Sequence, residues 1–304
     1  MFFKEEFVAS LSNGAFWLFA IAVLICLVGF LVLYIHHFKI SRLIKDTPTS
    51  KITSAAQGFS EIKGITVNPG PDLISPLSGN SCIWFRYRIE IKVPGGSNSY
   101  NWRTIYSGQS PDPVAIQDDT NICFINTNAA NIEGIKVESW FTHSLPERFL
   151  KDLPKASSVI ANEFKITEER IEKGTELYAL GTFKTLSSNS LETHHLRAKR
   201  LIHEWQKDHK KLLRKFDKNN DLKLSIDEWK NIRNGAQTAI KEAVNLATNQ
   251  LEVHVLTHSK NYPLIVSTKP ERSVANRYRT VSFFFLAMFI FSTLVWSDLT
   301  ITRL

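Results

Sequence analysis

The residues best suited to chemistry lie in one stretch, Asp217-Lys218-Asn219-Asn220-Asp221-Leu222-Lys223-Leu224-Ser225-Ile226-Asp227-Glu228. Oxygen donors recur at alternate places. Asp217, Asn219 and Asp221 stand at positions 1, 3 and 5, the Lys223 carbonyl at 7, Ser225 at 9 and Glu228 at 12. A hard cation of calcium size needs at least six oxygens around one point, and Glu228 supplies two if it binds through both. Position 6 departs from what such a loop requires. The chain turns sharply there, glycine is the expected residue, and Leu222 must take a left-handed conformation at a cost of about 1 kcal/mol. Asn219 and Ser225 also carry no charge. The expected cofactor is therefore calcium bound weakly. The competing reading, left open at this point, is a loop that keeps its shape without metal.

Other arrangements carry less. His203-Glu204 resembles a zinc-protease signature, but Lys207 occupies the place where the second histidine belongs, and His209 comes too late. His194-His195 is an isolated pair. No nucleophile elbow, phosphate loop or dinucleotide fingerprint occurs. Cys26, Cys82 and Cys123 contain no CxxC pair, which excludes a zinc ribbon and a thioredoxin-like site. A Cys82–Cys123 disulfide requires an oxidising compartment. The chain reads as a non-enzyme. The alternatives carried beside that are a ligase-like activity and a hydrolase whose site is assembled from dispersed residues.

The loop needs helices to position it, and both are legible. Leu201, Ile202, Trp205, His209, Leu212, Leu213 and Phe216 share one face of an entering helix, and Trp229, Ile232, Ala236, Ala239, Ile240, Ala243, Val244 and Ala247 define a second. An EF-hand-like helical subdomain over 191–250 follows. Its first helix is basic, with Arg197, Lys199, Arg200, Lys207, Lys210, Lys211, Arg214 and Lys215. This face either meets anionic lipid headgroups or is simply solvated. Nucleic acid is not an expected partner, because no groove-reading motif accompanies the charge.

Before that subdomain the pattern is β. In Cys82–Val93, Ile83, Phe85, Tyr87, Ile89, Ile91 and Val93 alternate with Trp84, Arg86, Arg88, Glu90 and Lys92, which assigns the first set to the core. Asn101–Ser107, Val114–Gln117 and Asn121–Ile125 are further strands, the last two joined by a tight turn at 118–121. Phe164–Ile171 and Glu176–Lys184 read as a closing pair turned at Lys173-Gly174-Thr175, and residues 251–270 as a short β-hairpin. Strands at this spacing predict a small, OB-like barrel over 50–185.

Several blocks in this region are familiar: Ala56-Gln57-Gly58-Phe59 with Glu61 and Gly64; Leu73 and Ser75-Pro76-Leu77-Ser78-Gly79; Cys82 to Glu90; Trp102; Asp118-Asp119-Thr120; Glu168-Glu169-Arg170-Ile171; Gly174; and Leu177 to Gly181. The stretch resembles the GIDE domain, which lies between two membrane helices in mitochondrial RING-type ubiquitin ligases and in bacterial proteins assigned by that likeness. The resemblance implies an inter-span domain that binds a partner. It does not carry over catalysis: a RING needs eight Cys/His zinc ligands, and none follow the second span before Leu304. Trp84, Arg86, Arg88, Glu90, Glu168, Glu169 and Arg170 are the candidate partner-binding residues, with cross-strand ion pairing on a wet face as the alternative account of the charged ones.

Two apolar runs bracket all of this. Ala15–Ile35 carries no charge and is long enough to cross a hydrocarbon core of roughly 30 Å at about 1.5 Å per residue. Residues 280–297 form a second, phenylalanine-rich run. Residues 1–14 and 298–304 are tails, and 36–49 a juxtamembrane linker. Lys39, Arg42, Lys45, Lys51, Lys269, Arg272, Arg277 and Arg279 flank the spans on the inner side, against Lys4 and Arg303 outside. The positive-inside rule then predicts a bacterial inner-membrane protein with a cytoplasmic central domain and both termini outside. The overall expectation is an α+β membrane scaffold that contacts lipids and a membrane-protein partner or a second copy of itself. Its 304 residues carry a net charge of +8 and an apolar fraction of 43%, which suits a folded domain with two spans and not a disordered chain.

Overall fold

The computed structural model describes residues 12–94, 99–146, 149, 163–186, 191–245 and 252–303. In chain order the elements are α1 (Asn13–Asp46), β1 (Thr49–Ser50), β2 (Gly58–Val67), β3 (Leu73–Ile74), β4 (Ser81–Cys82), β5 (Trp84–Pro94) and β6 (Tyr100–Gln109). Then come β7 (Val114–Gln117), β8 (Ile122–Ile125), β9 (Asn131–Glu133), β10 (Lys136–Thr142), β11 (Phe164–Ile171) and β12 (Glu176–Leu186). Helices α2 (Leu191–Lys207), α3 (His209–Phe216) and α4 (Ile226–Asn245) follow, then β13 (Val253–Thr257), β14 (Ile265–Ser267) and α5 (Glu271–Arg303). Contacts divide the chain into two units, Met1–Pro48 with Lys269–Leu304, and Thr49–Thr268.

The first unit is a pair of helices long and apolar enough to cross a membrane. Ser12 caps α1, its hydroxyl accepting the Ala15 amide at 3.3 Å. Pro48, unable to continue a helix, follows its end. The run 36–49, expected as a linker, is therefore mostly helix. The pair is antiparallel. Phe16 and Ala20 pack with Leu299, Phe30 stacks on Phe285 at 6.4 Å, and the Ser41 hydroxyl donates to the Ala275 carbonyl at 3.0 Å. Small residues at Ala20 and Ala275 suit such close approach. Only 6% and 11% of the most apolar windows are buried, unlike the core helices of a soluble protein.

The second unit contains a closed five-stranded barrel, in which β2, β7, β8, β13 and β12 pair in a ring and β12 pairs back to β2. Ile62, Ile116, Ile125, Leu177, Phe183 and Leu256 fill it. The turn expected between β7 and β8 is present and is organised by Asp118. Its Oδ1 accepts the Thr120 and Asn121 amides at 2.7 and 2.9 Å, and its Oδ2 accepts the Ile52 amide at 2.8 Å. Gly64 lets β2 approach β7, since a Cβ there would lie 2.7 Å from the Gln117 carbonyl oxygen. A separate sheet, ordered β10-β11-β5-β6, covers Ile89, Ile91, Phe164 and Ile166 with Leu145 and Phe149.

Two expected hairpins do not form. β11 joins β5 and β10, while β12 enters the barrel. The turn at Gly174 (φ +80°) hangs instead on Thr66 of β2: Gly174 N–H donates to the Thr66 carbonyl at 3.0 Å, and Thr175 N–H to its hydroxyl at 2.8 Å. Anchored there, the chain crosses between sheets. Likewise β13 and β14 do not pair with each other. Both run antiparallel along β12, at 182–186 and 178–180, as two pieces of one interrupted edge. β13 therefore completes the barrel, which does not close within 50–185. Cys82 and Cys123 are free, buried thiols.

The helical part differs from one continuous entering helix. The helix is interrupted at Asp208, whose carboxylate caps α3 through the Lys211 amide at 3.1 Å. Ile202, Leu212, Ile232, Ala236 and Ile240 form its core. Ala247, expected on the second face, lies outside the described residues.

Candidate functional site

The charged candidates separate according to strand parity. Neighbours on a strand face opposite sides, so Glu168 and Arg170 cannot share a surface with Glu169. Glu168 is 0% and Arg170 2% exposed. The Ser78 amide and hydroxyl donate to Glu168 at 3.2 and 2.5 Å, Arg170 pairs with Glu168 and donates to Ser78 at 3.0 Å, and Arg170 reaches Glu138 at 2.8 Å. Burial opposes ionisation of Glu168. The Ser75 and Ser78 hydroxyls and the guanidinium outweigh it and hold the carboxyl below its usual range. Trp84 is fully buried in the barrel cluster, its indole N–H donating to Thr127 at 3.1 Å. Arg170, Glu168 and Trp84 therefore build the interior, and the single charged face expected from sequence does not exist.

Arg86, Arg88, Glu90 and Glu169 do share a face, the outer side of the four-stranded sheet. Arg86 lies opposite Glu169 and bonds it through Nε at 2.8 Å. Glu90 lies opposite Lys165 at 3.5 Å, and Lys92 reaches Glu163 at 3.1 Å. These are the cross-strand pairs of a wet face. Arg88 breaks the ladder. It is exposed, its row reads Ser139-Thr167-Arg88-Ser107, and it has no acidic partner among the described residues. Tyr100, Val137 and Phe141 flank this face with 57%, 56% and 60% exposure, and Trp102 meets Phe141 at 5.6 Å. β10 brings Val137 and Phe141 and was not anticipated from sequence, although its alternation of Val137, Ser139 and Phe141 with Glu138 and Trp140 is a strand signal.

The acidic loop lies between α3 and α4. Leu222 has φ +62° and Asn220 φ +57°, so the sharp turn falls at the expected place. Side-chain oxygens satisfy the turn's amides. Asp217 Oδ2 accepts Leu222 N–H at 3.0 Å, Asn219 Oδ1 accepts Asp221 N–H at 3.2 Å, and Asp221 Oδ1 accepts Lys223 N–H at 2.8 Å. Glu228 accepts from the amides of Lys218 and Ser225 at 2.7 and 2.9 Å and from the Ser225 hydroxyl at 2.8 Å. The Ser225 and Lys218 amides hold its carboxyl below the ordinary range. Asp217 Oδ1 is buried without a hydrogen-bond partner. Among the described residues no three His, Cys, Asp or Glu side chains converge as a metal cluster.

Of the basic run, Arg197 is buried, Lys199 pairs with Asp112 at 2.9 Å, and Arg200 donates to the Glu252 carbonyl, while Lys210, Lys211, Arg214 and Lys215 are exposed. Cys82 and Cys123 offer no reactive thiolate: burial pushes the Cys82 thiol up to about 11 and Cys123 further.

Fold and surface together define an α+β protein with a closed barrel and two membrane-length helices. No protein-family model, curated protein or solved structure matches the chain.

Proposed function

We propose that this chain is a membrane-anchored scaffold whose outer sheet face binds an acidic segment of a protein partner. Arg88 carries the proposal. Every charge beside it in the ladder is matched across the strands, whereas its own row offers only the hydroxyls of Ser139, Thr167 and Ser107. A partner's carboxylate completes that row, and exposed Tyr100, Phe141 and Val137 supply apolar contact around it. The resemblance to the GIDE domain supports the same reading. Many of its shared positions, among them Gly64, Ser78, Trp84, Asp118, Glu168 and Arg170, hold the scaffold and not the surface. The bacterial inner membrane, with a cytoplasmic centre, is the proposed setting. The flanking basic residues support it, as does the antiparallel pairing of α1 and α5, which sets their outer ends side by side. A periplasm-specific reporter inserted near Thr185 should be inactive, and activity there refutes the orientation.

Photo-crosslinking residues placed at Ser139 and at Ser107 in the full chain test the binding face. Both should capture the same partner through an acidic segment. Arg88→Glu should abolish capture, and exchanging the partner's acid for lysine should restore it. Capture that is indifferent to Arg88→Glu sinks the proposal.

Calcium is the proposed modulator. The unpartnered Asp217 oxygen, and hard oxygens on Asn219, Asp221, Ser225 and Glu228, fit that ion's chemistry. Glu228 Oε2 accepts both the Ser225 amide and its hydroxyl, so an ion would take the place of that hydroxyl hydrogen there, while Oε1 accepts the Lys218 amide. Saturable Trp229 fluorescence change with calcium, lost in Glu228→Gln, is the expected outcome. No change at millimolar calcium refutes the assignment.

A further inference from the structure

A cavity of 250 Å³ lies in the Thr49–Thr268 unit, apart from both the sheet face and the acidic loop. It opens where α2 and α4 meet the loop between β2 and β3. Leu73, Ile83, Ala115, Ala198 and Ile202 give it apolar walls. One of the two carboxylates at its polar rim is already paired. Asp112 is held far below the usual carboxylate range by the neighbouring His195 ring and Lys199 ammonium. The contacts are 3.8 and 2.9 Å. That carboxylate is thus already answered. Arg233 reaches the rim from α4, exposed and with no acidic partner among the described residues.

A second chamber of 430 Å³ shares Val67, Asn68, Gly70 and Asp72 with the first. It adds Lys173, which also lacks an acidic partner among the described residues, Lys207, which pairs with Glu204, and, unlike the first chamber, Leu224 and Trp229 beside the acidic loop. Asp72, accepting a long 3.5 Å bond from Asn68, is the acid that remains against these cations. The first chamber lies just under, and the two together within, the roughly 300–1,000 Å³ usual for small-ligand sites.

Apolar walls ending in an unmatched guanidinium suit one ligand chemistry. We propose that this cavity binds a small organic acid, its apolar body against Ala198 and Ile202 and its carboxylate on Arg233. A guanidinium fork pairs with a carboxylate through two parallel N–H···O bonds, whereas an uncharged head would leave that charge unanswered.

The test uses the full chain in zwitterionic lipid nanodiscs, titrated with hexanoate and with hexanamide as its uncharged isostere, read by saturation-transfer NMR. Hexanoate should bind saturably and be displaced by benzoate, with hexanamide about tenfold or more weaker, as loss of a charge-assisted pair implies. Arg233→Gln should weaken hexanoate to the level of hexanamide and leave hexanamide unaltered. Gln237→Trp, at an exposed rim position, should exclude both. Both positions are exposed on α4, so an unchanged circular dichroism spectrum verifies the fold of each variant. The proposal is overturned by absent saturation with the native chain, by equal affinity for hexanoate and hexanamide, or by hexanoate binding that survives Arg233→Gln.

Discussion

Replacing Leu222 by glycine should stabilise the acidic loop even though it removes a large side chain. Leucine at φ +62° bears a left-handed cost of roughly 1–2 kcal/mol. Its side chain is 74% exposed, so truncation forfeits little buried area. Glycine's extra freedom in the unfolded chain returns about 0.5–1 kcal/mol of the gain. The net effect is about 0.5–1 kcal/mol in favour of Leu222→Gly, equivalent to about a two- to fivefold rise in protection. Hydrogen exchange of α3 and α4 amides in the full chain, in nanodiscs with a chelator present, reads this directly. Lys223→Gly is the control. Its φ lies outside the left-handed region, so there glycine brings only its entropic cost and protection should fall. If Leu222→Gly lowers protection as the control does, the strain argument is wrong. Where calcium binds as proposed, saturating ion should add protection, about 2.7 kcal/mol at a hundred times the dissociation constant.

Two further outcomes follow from the interior. Arg170→Leu should destabilise the second unit by about 3–5 kcal/mol, because it leaves Glu168 buried without its cation; denaturant titration measures this, and a loss under 1 kcal/mol refutes it. His254 is held neutral. Asn121 presents its amide N–H₂ to His254 Nε2 at 3.2 Å, since its oxygen already accepts the Ile122 amide, and Thr185 meets Nδ1 at 3.1 Å. Burial, then Arg200, lowers the pKa from the ordinary 6.5. A histidine whose folded pKa is depressed gives full stability above 6.5, and that stability is lost as pH falls from 6.5 toward the folded value. Barrel stability should thus decline below pH 6.5, with a smaller slope in His254→Gln. Some slope should persist, because burial lowers His203 in the same direction. An unchanged slope refutes the assignment.

Local chemistry was legible in the residues themselves. The two apolar runs, the strand alternation around Ile89 and Ile91, the Asp118 turn and the left-handed position at Leu222 each depend on a few consecutive side chains. A span needs only length without charge, a turn only its own hydrogen bonds. Pairing was not legible in this way. Phe164–Ile171 and Glu176–Lys184 look like a hairpin because proximity in sequence favours one, yet Thr66, more than a hundred residues earlier, captures the turn at Gly174 and sends the strands to different sheets. The interrupted edge of β13 and β14 likewise depends on the length of β12. Parity decided the fate of the charged residues. Glu168, Glu169 and Arg170 are adjacent in sequence, but alternation buried the first and third against Ser78 and left the second with Arg86 in water. Sequence determined most of the strand and helix segments, though not β10, the helical run to Asp46 or the helix interruption at Asp208. Only the tertiary structure decided which strands met, and hence that Arg88 stands on the surface with no acidic partner among the described residues while Arg170 is enclosed, because pairing partners and burial are set by distant segments that no local pattern specifies.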